Sequence, residues 1–124
     1  MVRWLIWTVV IIAWTVALEA PVPIPESVDH GIGVLTARAL FAKFVHVGAY
    51  TFLTVLSAWP RLPTRYRWLM VFLLMAHATA TEVLQEALHE WCGRGGSLWD
   101  VALDQVGILV GLLIGWKWWT RPDT

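Results

Sequence analysis

The chain alternates long apolar runs with short polar connections. The apolar runs extend from Trp4 to Leu18, from about Leu40 to Trp59, from Trp68 to Leu88 and from Val101 to Trp119. A helix that crosses a bilayer needs roughly 20 mostly apolar residues, with about 17 as the lower end. The last three runs reach this length. The pattern therefore predicts an all-α protein, a four-helix transmembrane bundle.

The first run is short, and Arg3 stands in front of it, so it can also be interpreted as the core of a signal peptide. Leu18-Glu19-Ala20 makes a poor cleavage site, because such sites carry small residues at both ends, and Pro21 follows directly. We therefore expect a retained signal-anchor helix.

The connections leave no room for a second domain, so residues 1–124 form a single predicted membrane domain. The stretch Pro21–Pro25 alternates proline with apolar residues, and proline cannot donate the hydrogen bonds of a helix. We expect it to be extended at the membrane surface, followed by a short surface helix within Glu26–Leu40. The other connections, Pro60–Arg67 and His89–Trp99, are brief, and the latter contains glycines suited to a tight turn.

Composition supports a membrane location. The chain is 58% hydrophobic and 15% charged, whereas soluble domains average about 45–50% apolar and about 25% charged residues. Its ten tryptophans favour membrane–water interfaces. The net charge is zero, so nothing indicates a nucleic-acid partner. A single cysteine, Cys92, excludes an internal disulfide and a CxxC motif, and no cofactor or metal is predicted.

The orientation follows from the Lys and Arg residues beside the helices, which are enriched on the cytoplasmic side. With the N-terminus inside, six of the nine fall inside and three outside, so both termini are predicted to be cytoplasmic, with the helices in the cell (inner) membrane. The inside set is Arg3, Arg61, Arg65, Arg67, Lys117 and Arg121, and the outside set is Arg38, Lys43 and Arg94. The expected tryptophan belts are Trp59, Trp68, Trp116, Trp118 and Trp119 inside, and Trp91 and Trp99 outside.

Polar side chains recur on three of the runs in steps of three or four residues, which gives each set one helix face. In the predicted topology all three faces reach the outer half of the membrane. The sets are Lys43, His46 and Tyr50 on the second helix, Glu82, Gln85, Glu86 and His89 on the third, and Asp100, Asp104, Gly107 and Gly111 on the fourth.

These faces predict a cluster in which Lys43 and Arg94 oppose acidic residues. Ionisable side chains inside a membrane usually face protein or water and pair with one another. The same residues can serve structure alone, since ion pairs fix helix register and Ser97 can cap the fourth helix. His77 is expected to stand apart in a packing role, and Gly111-x-x-x-Gly115 permits close helix contact. The acidic members are Glu82, Glu86, Asp100 and Asp104.

The ordered set of motifs resembles the VanZ-like family over roughly Ala42 to Gly115. The family commonly has Asn at the position of Asp104 and Asp at that of Ala42. The resemblance implies a polytopic protein of the bacterial cell envelope, and the family's namesake is linked to low-level teicoplanin resistance. It implies no established reaction. The matching motifs are Lys43-x-x-His46-x-x-x-Tyr50, Glu82-x-x-Gln85 and Arg94-x-x-Ser97-x-x-Asp100-x-x-x-Asp104-x-x-Gly107-x-x-x-Gly111.

Three functions remain open. The first is an outward-facing pocket for an envelope lipid head group or amphiphile, in which Lys43 and Arg94 would bind phosphate or carboxylate. The second is an accessory subunit that braces a larger complex of membrane proteins. The third and least favoured is an enzyme, with Glu82 or Asp104 beside His46 in acid–base or metal chemistry. The residues assigned to the pocket are Lys43, His46, Glu82, Gln85, Arg94, Asp100 and Asp104.

Overall fold

The computed structural model describes residues 1–19, 32–92 and 97–123, apart from the side chains of residues 32–39, 42 and 92. Every regular element in this part of the chain is a helix, which confirms the predicted all-α class. The predicted extended stretch Pro21–Pro25, the turn glycines and Arg94 lie outside the described residues. The helices are α1 (Val2–Glu19), α2 (Ile32–Ser57), α3 (Thr64–Ala87), α4 (His89–Cys92), α5 (Leu98–Ile114) and α6 (Trp116–Trp119).

The long helices begin earlier than the apolar runs indicate. Residues 32–40, expected to belong to a separate surface segment, are helical and continuous with α2. Helix α3 begins four residues before Trp68, because Pro63 precedes it with a φ of −56° and its carbonyl accepts the backbone N–H groups of Tyr66 and Arg67. The apolar pattern misses the start of α3 because its first turn, Thr64–Arg67, is polar.

The predicted fourth helix is divided in two at Gly115. Helix α5 ends at Ile114, and α6 follows after the single residue Gly115. A Cβ atom at Gly115 would lie 3.1 Å from Cδ1 of Trp119, so the glycine makes room for the indole ring. Trp119 is only 1% exposed, which makes its prediction as a belt tryptophan wrong: it belongs to the core.

The contact between α5 and α2 is the most extensive in the structure. It depends on two glycines of α5. A Cβ atom at Gly107 would lie 2.6 Å from the carbonyl oxygen of Val47, and one at Gly111 would lie 2.5 Å from Cβ of Thr54. Thr51 Oγ1 also donates to the carbonyl of Gly107 at 3.0 Å. The close approach uses Gly107 and Gly111, whereas Gly115 faces Trp119 and not another long helix.

Helices α3 and α1 complete the packing. Helix α3 contacts α5, and the core lies among α2, α3, α5 and α6. Helix α1 makes smaller contacts with α3 and α2, and Leu18 is its only buried residue. The core residues are Tyr50, Leu53, Met70, Val71, Leu74, Ala78, Ile108 and Trp119.

Two helices, Val2–Glu19 and Thr64–Ala87, are long and apolar enough to cross a membrane by length and composition. At 1.5 Å per residue they extend about 27 Å and about 36 Å, close to or beyond the roughly 30 Å hydrocarbon thickness. Large apolar side chains on both helices, such as Leu5, Ile12, Phe72 and Val83, are exposed. Exposed apolar surface of this kind is typical of contact with a membrane or with another protein.

Arg67 ties the C-terminal segment to the start of α3. Its guanidinium, counted by sequence as an interfacial cation, is buried and donates to the carbonyls of Leu62, Trp119 and Arg121. It also pairs with Asp123 at 3.0 Å. The Asp123 carboxylate accepts hydrogen bonds from the backbone N–H and hydroxyl of Thr64, and these bonds, followed by Arg67, hold its pKa below the ordinary value.

The close approach of α5 predicts the effect of Gly111→Ala. The new methyl group would meet Thr54 at a distance that no side chain tolerates, so the helices must move apart. We expect a loss of about 1–3 kcal/mol in unfolding free energy, measured by denaturation in detergent. The matched control is Gly48→Ala, because a Cβ atom there meets nothing within 4 Å. Equal stability of the two variants would contradict the packing.

Asp123 makes the C-terminal tether pH-dependent. We call the bonds of Asp123 to Thr64 and Arg67 the C-terminal tether. Because the pKa of Asp123 in the folded state lies below 3.8, the stability that the tether contributes is fully present above pH 3.8. It is lost as the pH falls through the lowered pKa. Protection of the C-terminal backbone, followed by hydrogen exchange, should therefore decrease in acid. In Asp123→Asn the protection should be weaker at neutral pH and should not change over that acidic range. A wild-type protection that stays constant through the acidic range would refute the assignment.

Candidate functional site

Three predicted polar residues from three different helices meet at one buried point. His46 of α2 lies with its Nδ1 atom 2.8 Å from Oδ1 of Asp104 on α5 and 3.8 Å from Oε1 of Glu82 on α3. The three residues are 8%, 0% and 3% exposed. We call His46, Glu82 and Asp104 the polar centre.

Each carboxylate of the polar centre has one oxygen with a hydrogen-bond partner and one without. Glu82 Oε2 accepts the backbone N–H of Ser97 at 3.1 Å, so the start of α5 is tied to α3. Glu82 Oε1 and Asp104 Oδ2 are buried and accept no hydrogen bond from the described residues. Such atoms are rare in folded proteins, because losing water without a replacement partner costs free energy. The polar centre therefore offers two acceptors that its neighbours leave unused.

The edge of the polar centre is formed by the first turn of α5. Ser97 caps this helix, as predicted, by accepting the backbone N–H of Trp99. Lys43 Nζ lies 3.4 Å from Asp100 Oδ1, and both side chains are partly exposed. Lys43 is thus engaged by Asp100 at the edge, and the one side chain of the polar centre that can carry positive charge is His46.

Two other predicted members lie elsewhere. Gln85 is buried but donates to the carbonyl of Leu18 at 3.0 Å, so it joins α3 to the end of α1. Glu86, expected among the opposed acids, is exposed and forms no ion pair with the described residues. It shares a helix face with Glu82 but lies one turn further along, at the end of α3. Arg94 lies outside the described residues.

Below the polar centre, a chain of hydrogen bonds reaches α1. Thr15 Oγ1 donates to the carbonyl of Ile11, so it must accept from Nε2 of His77 at 2.8 Å. The other ring nitrogen, Nδ1, is then an acceptor for the Tyr50 hydroxyl at 3.1 Å. His77 has the expected hydrogen-bonded role, but it does not stand apart, because it contacts the Tyr50 side chain.

Sequence reasoning missed three participants in this part of the structure. The ring of Trp14 meets those of His46 and Tyr50 edge-on, each with centroids 6.4 Å apart. Thr15 binds His77, and Thr81 lies 3.4 Å from the Tyr50 hydroxyl. The four-residue step from His77 to Thr81 was a usable signal, since it puts both on one helix face. Nothing in the sequence distinguished Trp14 from the other apolar residues of its run, so its contact with His46 and Tyr50 could not be predicted.

At the other end of the molecule, an apolar groove of about 390 Å³ lies beside α2 and the C-terminal segment. We call it the arginine groove, because three arginines line it among apolar side chains. Arg3 donates to the carbonyl of Trp59 at 3.2 Å and lies over its ring at 5.2 Å. Arg61 and Arg121 form no ion pair with side chains in the described ranges.

A second apolar cavity of about 370 Å³ lies between α1 and α2, lined by Val10 and Trp14 among others, and it shares Phe52 with the arginine groove. A third, more polar cavity of about 560 Å³ lies on the other side of Arg61 and Arg121. Arg61 and Arg121 therefore stand between an apolar and a polar space.

Comparison of the chain with protein-family models, with curated proteins and with solved structures finds no match.

The hydrogen-bond chain predicts the effect of Tyr50→Phe. Removing the hydroxyl leaves Nδ1 of His77 without its donor in a largely buried position. We expect a loss of about 1–3 kcal/mol in unfolding free energy, measured in detergent. The control is Tyr66→Phe, because Tyr66 is exposed and its change should have little effect. Equal effects of the two changes would argue against the chain.

Proposed function

We propose that this chain is a polytopic membrane protein that binds an anionic phospholipid in the arginine groove. The observation that carries the proposal is the position of Arg61 and Arg121 at the mouth of an apolar groove, where neither forms an ion pair with a side chain of the described residues. The resemblance to the VanZ-like family supports a membrane location, and so do the two helices with the length and composition of membrane spans.

Phosphate is the group that these arginines suit best. A guanidinium presents several N–H donors in a planar fork that matches the oxygens of a phosphate. Arg61 and Arg121 both line the apolar and the polar cavity, so a phosphate between them would have its acyl chains on one side and its polar substituent on the other. Arg3 adds a third positive charge from α1.

An acyl chain would meet apolar surface in the groove and beyond it. Phe52, Val55 and Leu56 line the arginine groove along α2. Phe52 also lines the cavity between α1 and α2, so apolar surface continues from the arginines towards Trp14. Small residues of α1, Ala13 and Ala17, border this second cavity. A lipid tail would fill space that the loose α1 packing leaves open.

The polar centre is a less suitable head-group site than the sequence indicated. Lys43 is already engaged by Asp100, and the unpartnered atoms of Glu82 and Asp104 are acceptors, which repel a phosphate. The arginine groove supplies the opposite charge. It lies at the end that the Lys and Arg distribution assigns to the cytoplasmic face, so we propose an inner-leaflet lipid.

The test is thermal unfolding of purified protein in detergent micelles that contain phosphatidylglycerol or, in parallel, phosphatidylcholine. A ligand present at 100 times its dissociation constant stabilises by about 2.7 kcal/mol. We expect phosphatidylglycerol to raise the unfolding temperature by several degrees and phosphatidylcholine to raise it less. In the double variant Arg61→Gln/Arg121→Gln, the difference between the lipids should disappear.

The control variant is Arg65→Gln, because Arg65 lies over the Tyr66 ring outside the groove. It removes one charge from the same end and should keep the lipid preference. Equal stabilisation by both lipids in the wild type would overturn the proposal, and so would an undiminished preference in the double variant. Stoichiometric co-purification of another membrane protein, with no lipid effect, would favour the accessory-subunit hypothesis.

A further inference from the structure

We propose that His46, Glu82 and Asp104 form a binding site for one divalent transition-metal ion, of the class of Zn²⁺ or Mn²⁺. Each residue offers one ligand atom, and the three atoms all lie within 4.8 Å of one another. The site is distant from the arginines of the groove along α2: His46 lies 11 residues before Ser57, the last residue of that helix, a rise of about 17 Å.

The unused acceptors are the first argument. Glu82 Oε1 and Asp104 Oδ2 belong to side chains that are 3% and 0% exposed, and neither atom has a hydrogen-bond donor among the described residues. Buried carboxylates are generally paired or coordinate a metal, and here a single imidazole serves two of them, with its hydrogen bond going to Asp104 Oδ1. A cation that bridges the two carboxylates would satisfy both atoms together.

Local charge is the second argument. Two carboxylates face one imidazole, so ionised Glu82 and Asp104 exceed the single positive charge that His46 can carry. Lys43 cannot balance them from its position, because it is engaged by Asp100 at the edge. A divalent ion supplies the missing charge without requiring His46 to be protonated, and a neutral imidazole is the form that binds metals.

The donor set selects the kind of ion. One imidazole nitrogen with two carboxylate oxygens suits Zn²⁺, Mn²⁺ or Fe²⁺, whereas Ca²⁺ prefers oxygen ligands alone. Tetrahedral Zn²⁺ with ligand bonds near 2.1 Å would separate ligand atoms by about 3.4 Å, between the 2.8 Å and 3.8 Å distances from His46 Nδ1. The ligand atoms, which lie within 4.8 Å of one another, would draw together around the ion.

The surroundings already orient one ligand and leave an opening. The Ser97 N–H holds Oε2 of Glu82, which leaves Oε1 to face His46. Such hydrogen bonds on the far side of a ligand commonly fix its orientation in metal sites. The partly exposed pair Lys43 and Asp100 lies on the same side, where an ion could arrive from solvent. Three protein ligands leave coordination positions for water or for an oxygen of a bound molecule.

The experiment measures metal binding to full-length protein in detergent after treatment with a chelator and its removal. Zn²⁺ and Mn²⁺ are titrated separately by calorimetry, the bound metal is counted by elemental analysis, and Co²⁺ is added as a visible-absorption probe. We expect one ion per chain and a higher unfolding temperature with metal. Glu82→Gln and Asp104→Asn should each weaken binding roughly tenfold or more.

The matched control is Glu86→Gln, which removes an exposed carboxylate one turn from Glu82 and should bind as the wild type does. The double variant Arg61→Gln/Arg121→Gln should also keep full metal affinity, which separates this site from the lipid proposal. Absence of stoichiometric metal in the wild type would refute the site, as would unchanged affinity in both carboxylate variants. If those variants fail to fold, a wild-type Co²⁺ spectrum without coordinated nitrogen would refute it.

Discussion

The close approach of α5 to α2 is the constraint on which the rest of the structure depends. Gly107 and Gly111 let the two backbones come so near that a methyl group could not fit between them. Asp104 lies one turn before Gly107 on the same face, and so it is carried onto His46. The buried charges of the polar centre are thus a direct result of small residues further along α5.

Much of this arrangement could be predicted from the sequence. The polar residues of each helix recur in steps of three or four, so His46, Glu82 and Asp104 each lie on the polar face of their helix, and such faces are expected to turn towards one another. The spacing cannot choose between alternative registers. By spacing alone, Gly107-x-x-x-Gly111 and Gly111-x-x-x-Gly115 are equally good contact motifs. In the structure Gly107 and Gly111 contact α2. The difference lies in Trp119, whose ring fills the space beside Gly115, and that contact depends on the fold of the C-terminal segment.

The sequence also could not predict the fate of Arg67 and Trp119. Both belong to residue types that are abundant at membrane interfaces, and local pattern assigns them there. They are buried because the start of α3 packs against the C-terminal segment. There the Arg67 guanidinium donates to the carbonyl of Trp119, a residue 52 positions further along the chain. Similarly, the Thr15–His77 bond joins residues 62 positions apart. Interactions at such separations are set by the packed helices and leave no local signature.

The Thr15–His77–Tyr50 chain has a consequence for α1. This helix is apolar on every side, so burial alone favours no angle of rotation about its long axis. A directional bond from the imidazole to one hydroxyl of α1 selects a single angle, and the Gln85 bond to the Leu18 carbonyl steadies the far end. The rotation of α1 about its long axis is therefore set by a few polar atoms. Most of the remaining surface of the helix is exposed.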